Sequence, residues 1–134
     1  MSDAADILAA SESVLLVDWP SRDVPDTLAD AGYDVYILGG PGPDDYSPRR
    51  PERVDLVYCH RPLDELPGIV ELARGSGAKA VWHQSGRSSD DGADPTACWL
   101  PDGAAQEARS LVEAAGLRFV HNVYIADAVR QLAD

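Results

Sequence analysis

Short apolar runs of strand length recur along this 134-residue chain, each followed by a stretch with helical spacing or by a polar loop. The runs are Ser13–Asp18 (SVLLVD), Tyr33–Leu38 (YDVYIL), Val54–Cys59 (VDLVYC), Ala78–Gln84 (AKAVWHQ) and Leu117–Asn122 (LRFVHN). Nearly continuous apolar runs, as opposed to alternating ones, mark strands that are covered on both faces. Helical spacing runs over Val24–Ala31, Leu63–Ser76 and Gly103–Ala115, with Ala4–Ala10 ahead of the first run and Ile125–Leu132 after the last. Gly32 and Gly116 stand where a helix stops on a left-handed residue.

Strand and helix in alternation predict a parallel sheet with helices on both faces. The expected fold class is α/β: a Rossmann-like three-layer αβα domain built on a doubly wound parallel sheet of about five strands. At this length the whole chain, residues 1–134, reads as a single domain able to bury a core without metals or disulfides. Ligands of such sheets bind beyond the carboxyl ends of the strands, where the strand order reverses. The loops after the first and third strands are expected to flank that point.

Composition narrows the function classes. The net charge is −12 and Lys79 is the only lysine. Nucleic-acid binding needs clustered positive charge, so no nucleic-acid partner is expected. No apolar run approaches the roughly 18 residues that span a bilayer, so no membrane partner is expected either. The N-terminus is acidic and alanine-rich, unlike a secretion signal, and the expected location is cytoplasmic. Cys59 and Cys98 match no zinc or redox spacing, and Cys59 reads as a buried free thiol.

Several residues are candidates on local grounds. Ser21 and Arg22 open the first helix after the first strand, where backbone N–H groups can meet a phosphate. The alternative is simple capping of that helix by Ser21 or Asp23. Arg49, Arg50 and Arg53 cluster in the polar, Pro/Gly-rich segment 39–53 and could clamp a phosphate, or could pair with Asp44 and Asp45 in a solvated loop. His60, His83 and His121 lie near carboxyl ends of strands, but no metal-ligand spacing joins them. A general base at His60 or His83 would require one of them to face the same cleft as Arg61 and Gln84.

Three stretches resemble the CoA-binding domain family, small proteins similar to the N-terminal domain of succinyl-CoA synthetase alpha subunits. They are Val54–Pro62 running into Leu66-Pro67-Gly68-Ile69-Val70-Glu71, the segment Gly77–Gly86 (GAKAVWHQSG), and Glu107–Val120. The second is similar to a G-A-K-A-V-W-x-Q-x-G pattern and is the most specific of the three. The resemblance implies a Rossmann-like fold and a non-catalytic domain that binds CoA, acyl-CoA or a related nucleotide. Carried over by position, it puts Arg61, Pro62, Gln84 and Gly86 in the ligand cleft; Ser21, Arg22, Arg49 and Arg50, candidates on local grounds, would join them there. The family's first loop is glycine-rich, whereas here it reads Asp18-Trp19-Pro20-Ser21-Arg22. That departure motivates the alternative of a family member without ligand, working as a protein-interaction module. A homodimer or another protein partner stays open.

Overall fold

In the computed structural model, residues 3–19, 22–38, 53–61, 63–84, 92, 100–121 and 123–133 are described. Strands β1 (Ser13–Val17), β2 (Asp34–Leu38), β3 (Leu56–Cys59), β4 (Ala80–His83) and β5 (Arg118–His121) form one sheet in the order β2-β1-β3-β4-β5. Every neighbouring pair is parallel. The helices are α1 (Asp3–Ala10), α2 (Asp23–Asp30), α3 (Leu66–Gly75), α4 (Asp102–Ala114) and α5 (Ile125–Ala133). The expected strands and helices are all present, with bounds shifted by a few residues.

The register explains why the strands read as continuous apolar runs. Leu15, Val57, Val81 and Phe119 form one cross-strand row, and Leu16, Tyr58, Trp82 and Val120 form the next. Successive residues point to opposite faces, so the two rows face different helical layers. The first row packs with Leu66, Ile69 and Val70 of α3 and Val112 of α4. The second packs with Leu8 of α1, Leu28 of α2 and Ile125 of α5. Both faces are covered, which gives the three-layer αβα arrangement. Burial of a large apolar side chain contributes about 1.5–3 kcal/mol, before chain entropy is counted.

Local chemistry sets the element ends. Gly32 and Gly116 follow α2 and α4 with φ of +96° and +82°, a region closed to most L-residues. The helix expected over Leu63–Ser76 is split: a 3-10 turn at Leu63–Glu65 leads into α3. Pro67 sits in the first turn of α3, where its missing N–H is harmless. The strand expected over Ala78–Gln84 is longer than β4, yet ladder bonding continues past both its ends. Lys79 N–H donates to the Asp55 carbonyl at 2.9 Å, and Gln84 N–H donates to the Cys59 carbonyl at 3.0 Å. Trp82, expected in the core, is fully buried and its indole N–H donates to the Val123 carbonyl at 2.9 Å.

The chain leaves β1 to one side for β2 and returns to the other side for β3. The strand order therefore reverses between β1 and β3, as expected, and the carboxyl ends of these two strands mark where the ligand crevice lies in sheets of this kind.

Candidate functional site at the carboxyl ends of β1 and β3

Two polar residues meet across this crevice. Asp18 follows β1 directly, with φ of +63°, the only positive φ of a non-glycine residue among the described residues. Aspartate tolerates that region better than most residues because its short side chain can bond locally. Here Oδ1 accepts the Trp19 backbone N–H at 2.8 Å. Oδ2 accepts from Arg61 Nη1 at 3.1 Å, bridging the ends of β1 and β3.

Arg61 follows His60 at the exit of β3 and is held on three sides. Its Nε donates to Glu65 Oε2 at 3.0 Å and Nη2 donates to the same oxygen at 2.7 Å. Its backbone carbonyl accepts His83 Nε2 at 2.9 Å. The Glu65 and Asp18 carboxylates raise the Arg61 pKa further, so the guanidinium stays charged. Its side chain keeps 39% exposure, enough to be met from solvent.

The surroundings are acidic. Asp23 and Asp26 lie in the first turn of α2, Asp64 and Glu65 in the 3-10 turn, Asp102 in α4 and Asp127 in α5. Helix N-termini carry partial positive charge, and these carboxylates offset it. Arg22 is exposed at the start of α2, with its guanidinium 3.3 Å from Asp26. Asp23 does not cap α2. Position Arg22 makes no side-chain cap, and the Asp23 carboxylate instead accepts from Tyr124, Thr27 and Arg130. Those donors, Arg130 first and Tyr124 next, hold its pKa below the ordinary carboxylate value.

Beneath the rim the groups are inward-facing. Gln84 is fully buried and its Oε1 accepts the Tyr58 hydroxyl at 2.6 Å. His83 is 1% exposed, and burial lowers its pKa. A carbonyl only accepts, so His83 Nε2 carries the proton and Nδ1 is bare. That Nδ1 has no hydrogen-bond partner among the described residues. Burial also lowers the pKa of the half-buried His60. Cys59 is a buried free thiol, as expected, with its pKa pushed up to about 12 by burial and by Glu65. Such a thiol is not a nucleophile at neutral pH. Among the described residues no group of three or more His, Cys, Asp or Glu is arranged to hold a metal.

Of the residues singled out in the sequence, Arg22 and Arg61 lie on the rim and Gln84 lies under it. Ser21, Arg49, Arg50, Pro62 and Gly86 fall outside the described residues. Arg53 does not join the rim. It sits at the opposite end of the sheet with its side chain against Gly77, about where a Cβ on that glycine would come within 3.5 Å of Arg53 Cγ. The sequence reading did not foresee either ion-pair partner of Arg61. Glu65 could have been found from its opposite charge four positions on. Asp18 lies 43 residues away in sequence, and no local signal joins the two.

Residues 15–126 match the family described as CoA binding domain. The chain belongs to that family. The matched span runs from within β1 to the start of α5 and includes residues of all five strands and the carboxyl ends of β1 and β3. Solved structures with the same fold as this CoA binding domain include a hypothetical protein from Pyrococcus horikoshii OT3. It is 23% identical, with a TM-score of 0.68 over 98% of this chain and 91% of that one. Prb, a protein redesigned for binding, is 22% identical, with a TM-score of 0.68 over 98% and 90% of the two chains. The cell-free ID.343 structure from Thermus thermophilus is 20% identical, with a TM-score of 0.59 over 98% and 99%. No curated protein matches the chain. Among the described residues, no helix of this CoA binding domain is long and apolar enough to cross a membrane.

Proposed function

We propose that the protein is a non-catalytic CoA- or nucleotide-binding domain whose ligand lies over the ends of β1 and β3. The observation that carries this reading is a charged, partly exposed Arg61 guanidinium at the strand-order reversal of a CoA binding domain. A phosphate is a natural partner for its planar donor fork. Arg22 on α2 is the next described cation on the rim. Ser21, Arg49, Arg50, Pro62 and Gly86 complete the proposed contacts. Gln84 would act from below, by fixing the end of β4. A CoA phosphate at Arg61 would meet the two carboxylates that the guanidinium already holds.

The non-catalytic part of the reading rests on the buried His83, whose Nε2 is committed to the Arg61 carbonyl, and on the raised pKa of Cys59. A cytoplasmic location agrees with the free Cys59 thiol. The test is a thermal-shift titration of the full chain with CoA, acetyl-CoA, NAD and ATP. Ligand that binds only the folded state raises Tm by mass action. CoA or acetyl-CoA is expected to raise it. An unchanged Tm at about 1 mM CoA would overturn the reading.

A second reading is favoured by two observations. Asp18 and Glu65 neutralise Arg61, and Trp19 is 2% exposed, packed into the core beside α2 and α5. Asp18 and Trp19 committed to partners within the domain suit a family member that has lost its ligand and binds a protein instead. It predicts no Tm shift with any of the four nucleotides.

A further inference from the structure

The Asp18 carboxylate occupies the two kinds of donor that an oxyanion would use at this place. One oxygen takes a backbone N–H, that of Trp19, and the other takes a guanidinium N–H, that of Arg61. Backbone N–H groups at a first βα turn are where phosphates of nucleotide ligands are met in sheets of this kind. The other edge of Arg61, Nε and Nη2, is taken by Glu65. The guanidinium is thus held on both sides while remaining partly open to solvent.

The backbone of Asp18 is a separate observation pointing the same way. Its φ of +63° is unfavourable for a residue with a Cβ, and glycine would adopt it freely. A side chain at this position gains two hydrogen bonds, both made by its carboxylate.

We propose that Asp18 is an internal anion that competes with ligand phosphate for Arg61 and the Trp19 N–H, so that the site admits a diphosphate only as Asp18 is displaced. The proposal takes from the preceding section only the place of the ligand. A tethered carboxylate acts at a high effective concentration, so singly charged anions in solution do not displace it. A diphosphate brings more charge and more acceptor oxygens to the same donors. Asp18 thereby selects multiply charged phosphate ligands over carboxylates.

The test titrates inorganic pyrophosphate into the full chain by calorimetry, with the Arg61 Nε–H resonance as a site-specific readout. Asp18→Asn and Asp18→Gly remove the carboxylate and keep residues that accept positive φ, and thermal melts confirm that both fold. Both are expected to bind pyrophosphate at least about tenfold more tightly than wild type. Asp102→Asn removes the same charge elsewhere on the rim and is expected to stay within about twofold. Adding Arg61→Met to Asp18→Asn is expected to abolish the gain. The proposal is overturned if neither Asp18 variant binds more tightly, or if Asp102→Asn gains as much. Wild-type binding of CoA without tighter pyrophosphate binding in the Asp18 variants removes this proposal alone. Tighter pyrophosphate binding without any binding of CoA removes the CoA reading alone.

Discussion

The Tyr58 hydroxyl donates to Gln84 Oε1 at 2.6 Å, with both side chains fully buried beneath the crevice. This bond joins the middle of β3 to the residue just after β4 and fixes where the chain enters its next loop. A buried acceptor that loses its donor costs more than the net value of the bond.

Tyr58→Phe is therefore expected to destabilise the fold by about 1–2 kcal/mol, although the ring stays in place. Urea denaturation of Tyr58→Phe, Gln84→Ala and the double variant measures the coupling directly. Additive losses would show that the two groups do not support one another.

The carboxylate of Asp23 predicts an acid-sensitive joint between α2 and α5. Arg130 and Tyr124 from the C-terminal region both donate to it, at 3.0 and 2.7 Å. Its folded pKa is depressed below 3.8, so the unfolded chain takes up the proton first as pH falls. The stabilisation is complete above the unfolded pKa and is lost as pH falls through the folded value. Asp23→Asn is expected to cost about 1 kcal/mol at pH 7, modest because the ion pair is partly exposed. The gap between wild type and variant should close on acidification from pH 5 toward pH 2, measured by urea denaturation at each pH. A gap that stays constant to about pH 2 would contradict it.

The fold was legible because both faces of the sheet are buried. Apolar continuity is forced on Val14–Leu16, Leu56–Cys59 and Ala80–Trp82 by the two helical layers, and it appears directly in the sequence. Gly32 and Gly116 announced helix ends through a steric rule that needs no tertiary knowledge. The site was less legible because its polar groups choose partners through the fold. Arg61 could be placed at the crevice by strand order, but its pairing with Asp18 depends on β1 and β3 lying side by side. Asp23 illustrates the same limit: its position at a helix start suggests capping, and only the approach of α5 turns it to Tyr124 and Arg130.

At the amino end of the sheet, Asp55 is expected to matter more than its partly exposed position suggests. Asp55 Oδ2 accepts the backbone N–H groups of Glu12 and Ser13 at 2.8 and 3.3 Å, and its own N–H donates to Ser13 Oγ at 3.1 Å. This reciprocal arrangement sets the register in which β1 and β3 start. Asp55→Ala is expected to lose about 1–3 kcal/mol, because two backbone donors lose a charged acceptor. Ser13→Ala removes one weaker bond and should cost less. Thermal melts of the two variants give the order, and the reverse order would show that the carboxylate is not the stronger element.

His83 offers the most direct test of the geometry under the crevice. Its Nε2–H donates to the Arg61 carbonyl at 2.9 Å, so the neutral ring is the Nε2–H tautomer with a bare, buried Nδ1. Burial lowers its pKa from 6.5, and the neighbouring His60 and His121 lower it further, against the raising effect of the Arg61 carbonyl. The unfolded chain therefore protonates this histidine first. Its contribution to stability is complete above about pH 6.5 and falls as pH drops toward the folded value. Nitrogen-15 shifts of the His83 ring are expected to report the Nε2–H tautomer at pH 7 and a midpoint of protonation below the ordinary histidine value. An Nδ1–H tautomer, or titration at the ordinary histidine value, would mean that His83 does not hold the Arg61 backbone. The position of the guanidinium at the crevice would then need another anchor.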